Sequence, residues 1–376
     1  MTQAIIINFA PLLFVIFQKS YNLNYALIGT LIFLHFIVQL FTDIFSVFFI
    51  DRLGYRVSAF SSQMCCAAGL FLLPVLPNIM PSPFLGICIA LIFYSVGAGL
   101  IEVVINPVMA SVPDGRGEII FLHSFYSWGQ LLTVLLTTFA IKIFGSNSWG
   151  YISLLWGTVP FCNALAFLKA PIVDTIESEK REKIGGLLKN KVFICIIILM
   201  ICAGGSELAM SQWASTFAQN ALGVDKLTGD LLGPCLFAVF MGIGRTIYGI
   251  KADKLNYKLH MSVSAVLCIV CYVVAAFAKN PYAALLGCAV CGYAISIMWP
   301  GVVQIAAKLF PNGSGAMYGF IAIFGDVGCS IAPFITGIIA SISAFGESSL
   351  KVGLISNVVY PLGFLLIITK LLKKSS

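Results

Sequence analysis

The chain has 376 residues, 60% of them apolar and only 10% charged. A soluble domain carries about a quarter charged residues, so this composition excludes a water-soluble globular protein and leaves a polytopic membrane protein. The 22 Lys and Arg against 15 Asp and Glu give a net charge of +7, which reflects where basic residues flank the membrane spans rather than a nucleic-acid partner.

Twelve apolar runs follow one another, each near the roughly 20 residues a membrane helix needs. They cover residues 1–17, 25–50, 57–77, 84–110, 119–144, 149–170, 192–218, 228–250, 260–278, 283–307, 315–342 and 352–370. Proline and glycine mark many of the turns, as at Pro74, Pro77, Pro81 and Pro83. The first run is short and has no basic flank ahead of it. It lacks the features of a signal peptide, so either residues precede Met1 or the helix is short. With the N-terminus in the cytoplasm, only Lys19, Lys142, Lys226, Lys279 and Lys351 fall outside, and Arg245 lies within a span. The other sixteen basic residues are then cytoplasmic, which the positive-inside rule favours. Both termini are expected inside, in the cell membrane.

The stretch from Pro171 to Lys191 is the one sizeable charge run. It reads as a solvated cytoplasmic linker between a six-helix bundle at 1–170 and another at 192–376, with basic residues able to touch anionic lipid head groups.

Polar residues inside the spans carry the chemistry, because a charge at the bilayer centre costs roughly 2.5–3.5 kcal/mol on insertion scales. Span one offers Gln3 and Asn8, and span two carries His35 and Asp43. In span four Glu102 and Asn106 lie one turn apart on one face, followed by Pro107, which frees a backbone carbonyl. Desolvation favours the neutral form of a carboxylic acid, and a group able to gain and lose a proton is what a proton-coupled carrier requires. Glu102 is therefore the first candidate for proton coupling. Span five shows a polar stripe of His123, Tyr126 and Gln130. Span seven places Gly204, Glu207, Ser211 and Ser215 on one face beside Gln212 and Trp213, with Glu207 a second proton candidate. Span ten contains Trp299, Pro300 and Gln304. Aromatics and amides around a wet cavity suit sugars, whose CH faces stack on rings while their hydroxyls take hydrogen bonds. Asp326 in span eleven is a candidate partner for Arg245.

Other patterns carry less. Cys268, Cys271, Cys288 and Cys291 have zinc-ribbon spacing but lie inside apolar spans, where cysteine serves as a small packing residue. Asn312-Gly313-Ser314 is a glycosylation sequon on the cytoplasmic side. Gly242-x-Gly244 lacks the context of a dinucleotide site. No metal, cofactor or nucleophile–base pair stands out, so neither an enzyme nor a nucleic-acid binder is expected.

A duplicated loop organises the whole chain. Residues 47–56 read V-F-F-I-D-R-L-G-Y-R and residues 249–258 read G-I-K-A-D-K-L-N-Y-K, 202 positions apart. Asp51, Arg52 and Arg56 correspond to Asp253, Lys254 and Lys258, and these are the candidate cytoplasmic gate loops. Asp43 and Arg245 share a repeat position. One half is thus a structural copy of the other, as in transporters with a rocking mechanism. The loop resembles the signature loop of the major facilitator superfamily. Within that family Gly99–Pro107 (G-L-I-E-V-V-I-N-P) resembles the E-x-x-x-N-P segment of the fucose permease branch. Ser124–Gly129 resembles that branch's fifth helix, with Tyr126 where asparagine is usual, and Ser296–Pro300 (S-I-M-W-P) its tenth. The resemblance implies a twelve-helix, all-α membrane fold of two pseudo-symmetric bundles, alternating access, and sugar uptake driven by protons, with Glu102 as the proton-carrying acid. The aspartate that branch has in its first helix is absent; Gln3 and Asn8 are the polar residues there. A monomeric carrier in contact with lipid, binding a small solute and protons without a cofactor, is the expected protein. A proton-driven efflux antiporter for amphipathic compounds is the alternative.

Overall fold

The computed structural model describes residues 1–110, 116–170, 188–250, 256–310 and 315–373, with the side chains of 47–52, 105–110, 116–124, 257, 315, 316, 343, 345, 347 and 371–373 outside the description. The linker at 171–187, Asp253, Lys254 and the sequon at 312–314 lie outside the described residues. Every regular element among those described is helical, and no strand occurs.

Two compact units divide the chain, Met1–Glu177 and Ser178–Ser376. The first comprises α1 (Thr2–Tyr21), α2 (Tyr25–Leu53), α3 (Tyr55–Leu72), α4 (Pro83–Ala110), α5 (Arg116–Phe144) and α6 (Trp149–Lys169). The second comprises α7 (Lys191–Asn220), α8 (Lys226–Ile250), α9 (Tyr257–Phe277), α10 (Pro281–Leu309), α11 (Gly315–Ala340) and α12 (Ser349–Lys370). Eleven of these, among the described residues, are long and apolar enough to cross a membrane.

The exception is α3, which is too polar on its own. Its buried face carries Ser58, Ser62, Gln63 and Cys66, and neighbouring helices supply what lipid cannot. Ser62 donates to the Gly97 carbonyl at 2.8 Å, Thr2 donates to Gln63 Oε1 at 2.8 Å, and Ser153 donates to the Leu70 carbonyl at 2.7 Å. A helix whose Ser62 and Gln63 are met by α4 and α1 need not be apolar throughout, although Ser58 Oγ is buried without a hydrogen-bond partner among the described residues. The helical part of α1 runs past Lys19 to Tyr21, where Asn22 ends it in the left-handed region at φ 53°. The first span therefore reaches further than its apolar run.

Proline explains the irregular helices. Pro11 falls in a 3₁₀ turn of α1 and Pro234 in a π-helical turn of α8. Pro300 cannot donate to the carbonyl of Ser296, and α10 breaks there, with Ser296 N–H turning to the Tyr293 carbonyl at 3.2 Å. The connection at 54 and its repeat counterpart at 256 are both helix N-caps. Gly54 adopts φ 75°, whereas Asn256 accepts from Leu259 N–H with its side chain.

Glycine sets the closest helix contact in the second unit. A Cβ at Gly328 on α11 would meet the backbone of α7, with Gly205 N 2.8 Å and Ile201 C 2.9 Å away. Backbone cannot step aside. Gly328→Ala should therefore destabilise the protein by about 1–3 kcal/mol, whereas Gly319→Ala, on the same helix with nothing within 4 Å, should be neutral or slightly stabilising. Thermal unfolding in detergent distinguishes the two, and equal effects would remove the packing argument.

Candidate functional site

In the first unit a polar chain runs from α1 through α2 to α4. Gln3 Nε2 donates to Gln39 Oε1 at 3.5 Å and to Glu102 Oε2 at 3.4 Å, and Gln39 Nε2 donates to Glu102 Oε2 at 2.9 Å. Gln39 is buried and Glu102 half-buried. Gly99, one turn before Glu102, allows the approach: a Cβ there would sit 2.7 Å from Asp43 Oδ1 and 2.8 Å from the Gln39 carbonyl. Four residues earlier on α2, His35 shares a 2.6 Å hydrogen bond with Ser95 of α4. His35, Gln39 and Asp43 are spaced by four, so one face of α2 meets the Ser95–Gly99–Glu102 face of α4.

Asn8 lies further along α1, where its amide donates to the Ala4 carbonyl at 2.9 Å and to Tyr126 Oη at 3.4 Å. Gln130 is buried and Tyr126 half-buried on α5. The side chains of Asn106, His123, Asp51 and Arg52 are outside the described set. Arg56 is described, and its guanidinium donates to the Leu168 carbonyl at 2.8 Å, at the C-terminal end of α6 where unsatisfied carbonyls attract a cation.

In the second unit Glu207 receives Arg245 from α8, with Nη2 3.4 Å from both carboxylate oxygens. The structure thus sets Glu207 against Arg245, and Asp326 is buried on α11. Two turns along the same face of α7, Ser215 hydrogen-bonds Asp230 of α8, which also takes Lys226 Nζ at 2.8 Å. The polar stripe expected on α7 is therefore used largely by α8. Ser211 and Gln212 are buried. The Trp213 ring is fully buried and its Nε1 donates to the Pro333 carbonyl at 3.0 Å, which ties α7 to α11. Trp299 is half-buried with its ring against Gly325, Gln304 is exposed, and Lys258 is half-buried. Cys268 and Cys291 approach to 3.7 Å at the packed face of α9 and α10, and both are free thiols.

Sequence reasoning passed over Gln39 and Asp230. Gln39 carried a signal, since it stands midway between His35 and Asp43 at helical spacing. Asp230 is a third acid within the spans of the second half, beside Glu207 and Asp326, but its position near a span end disguised its burial.

Long apolar helices grouped in two units of six make this a multi-pass membrane protein. A family model described as Major Facilitator Superfamily matches residues 1–333, and the chain belongs to that superfamily of transporters. No curated protein sequence matches it. Among solved structures it is similar to the E. coli fucose:proton symporter, with 15% identity, 98% of this chain and 95% of that chain covered, and a TM-score of 0.68. It is also similar to a D-xylose–proton symporter (14% identity, 97% and 94% covered, TM-score 0.76). A bacterial homologue of the human lysosomal transporter Spinster is similar too, with 13% identity, 98% and 93% covered and a TM-score of 0.76. At such identities the likeness is one of fold, and at that level the resemblance to the fucose permease branch holds.

The Glu207–Arg245 pair makes a definite demand on stability. Arg245→Met alone leaves a buried carboxylate without its guanidinium and should cost about 3–5 kcal/mol. Glu207→Leu combined with Arg245→Met should recover most of that loss in thermal unfolding. A double variant as unstable as the single one would show that the pair is not the source.

Proposed function

We propose that this protein is a secondary active transporter that works by alternating access and couples uptake of a sugar, or a similar small polar solute, to protons. The observation that carries the reading is Glu102: a carboxyl within a membrane-length helix, held by the side-chain amides of Gln3 and Gln39. An acid so placed can be neutralised by a proton and thereby change what its surroundings tolerate. Reorientation of the carrier is then tied to the proton, and through it to the solute.

The polar residues of α1, α5, α7 and α10 supply the solute-binding groups in this reading. Asn8, Tyr126, Gln130 and Gln304 can exchange hydrogen bonds with hydroxyls, and the Trp299 ring offers a face for sugar CH groups. Asn106 and His123 belong to the same proposal from their helical positions. Glu207 is the second ionisable group of the proposed site, and Asp43 and Asp326 are further buried acids that act on the conformational equilibrium. The duplicated loops, with Asp51, Arg52 and Arg56 in one and Asp253, Lys254 and Lys258 in the other, latch the cytoplasmic side. Within the first unit Arg56 donates to the Leu168 carbonyl at the end of α6, which fixes one residue of the proposed latch. The superfamily similarity and the fold of two proton-linked sugar symporters support this class of solute. The cell membrane, with both termini in the cytoplasm, is the proposed location.

The test is uptake of a labelled monosaccharide panel into proteoliposomes under an inward proton gradient. Wild type should accumulate one sugar above its equilibrium level. Glu102→Gln should lose that accumulation to the level of empty liposomes while still exchanging labelled for unlabelled sugar across the membrane. Unchanged gradient-driven accumulation in Glu102→Gln would remove the coupling role. No sugar accumulated by folded wild type would favour export of amphipathic compounds.

A further inference from the structure

We propose that Gln3 and Gln39 form a reversible amide relay that holds Glu102 in place both with and without its proton. This inference rests on the reading of Glu102 as the proton carrier. It makes Gln3 and Gln39 positioning residues for coupling, and it separates the role of Glu102 from that of Glu207.

The hydrogen bonds have a direction. Gln3 Nε2 donates to Gln39 Oε1 and at 3.4 Å to Glu102 Oε2, and Gln39 Nε2 donates to Glu102 Oε2 at 2.9 Å. This order suits the ionised acid, because a carboxylate only accepts. A neutral carboxyl instead has an O–H that needs an acceptor. Turning both amides by half a rotation about their last side-chain bonds supplies it. The Glu102 O–H then donates to Gln39 Oε1, and Gln39 Nε2 donates to Gln3 Oε1. The chain runs the other way through the same atomic positions, and no backbone has to move. The proton is the only species gained; no covalent bond other than its O–H forms or breaks.

One otherwise unexplained feature fits this second state. Gln3 Oε1 is buried and has no hydrogen-bond partner among the described residues. A buried acceptor left unsatisfied costs about 1–3 kcal/mol. In the reversed chain that oxygen becomes the terminal acceptor, and the Gln3 Nε2 group takes the buried position it leaves. Gln39 is fixed for the task by burial and by its backbone carbonyl, which lies 2.8 Å from where a Cβ on Gly99 would be.

The other carboxyl is held differently. Arg245 faces Glu207 with a guanidinium, a group that donates and never accepts. It serves the ionised acid and cannot partner an O–H. Amide partners thus permit two protonation states at Glu102, and the guanidinium favours one at Glu207. Between the two candidates, the relay assigns proton exchange to Glu102, whose amide partners can turn to accept an O–H.

Infrared difference spectroscopy on the full chain in liposomes, stepped between high and low pH with no solute present, tests this directly. Glutamine is labelled with ¹⁵N in its side-chain amide. Acidification should produce a carboxyl band that vanishes in Glu102→Gln and persists in Glu207→Gln. With it should come a side-chain amide band that shifts with the label. In Gln39→Met, or in Gln3→Met should the first not fold, the amide band should be lost while the carboxyl band remains. A carboxyl band without the labelled amide component, one that follows Glu207, or no Glu102-dependent band at all would overturn the relay. Because no solute is present, a sugar panel without uptake leaves a positive spectrum standing. Coupled uptake with a silent amide removes the relay and leaves Glu102 as the carrier.

Discussion

A polar group inside a helix that crosses lipid has little water to turn to, so either its own helix's backbone, as for Thr42, Thr133 and Ser206, or a neighbouring helix must satisfy it. Much of the interior of this protein follows from that constraint. It explains why α3 can carry Ser62 and Gln63 and still be part of the fold, since the Gly97 carbonyl and Thr2 meet them. It also explains why the indole of Trp213 is bound to a backbone carbonyl of α11 and Asp230 to both Ser215 and Lys226. Hydrophobic burial does not drive helices together in lipid, so these hydrogen bonds and the glycine-mediated contacts at Gly204, Gly325 and Gly328 specify which helices pair.

The same constraint separates the two buried carboxyls by the company they keep. Glu102 is held by amides, groups that can present either a donor or an acceptor. Glu207 is held by a guanidinium, which can present only donors. Both acids sit on membrane-length helices, yet only Glu102 faces groups that can also accept a hydrogen bond. The chemistry available to each is decided by the facing helices, α1 and α2 in one case and α8 in the other.

The internal repeat shows how far a shared backbone constrains chemistry. Positions 43 and 245 correspond, but Asp43 lies beside Gly99 of α4 whereas Arg245 reaches Glu207 of α7. Positions 54 and 256 both cap a helix, one through a left-handed glycine and the other through an asparagine side chain. Duplication preserved the course of the chain, while the charges were free to diverge.

Helix number, the duplicated loop and the acids within the spans were legible in the residues. Run length against bilayer thickness, charge cost in lipid and a 202-residue offset are properties of the chain read along its length. Even the break in α10 was implicit in Pro300, since a missing N–H acts four residues away. What could not be read was partnership. That Gln39, rather than any residue of span four, touches Glu102, and that Arg245 meets Glu207, depends on which faces of α2, α4, α7 and α8 turn toward each other. Those rotations are set by close packing at residues such as Gly99 and by the sum of many weak contacts between helices distant in sequence. The sequence by itself determined that acids lie in the membrane; only the tertiary structure decided which groups share them, because a hydrogen bond needs two ends and the chain supplies them 63 residues apart for Gln39 and Glu102 and 38 apart for Arg245 and Glu207.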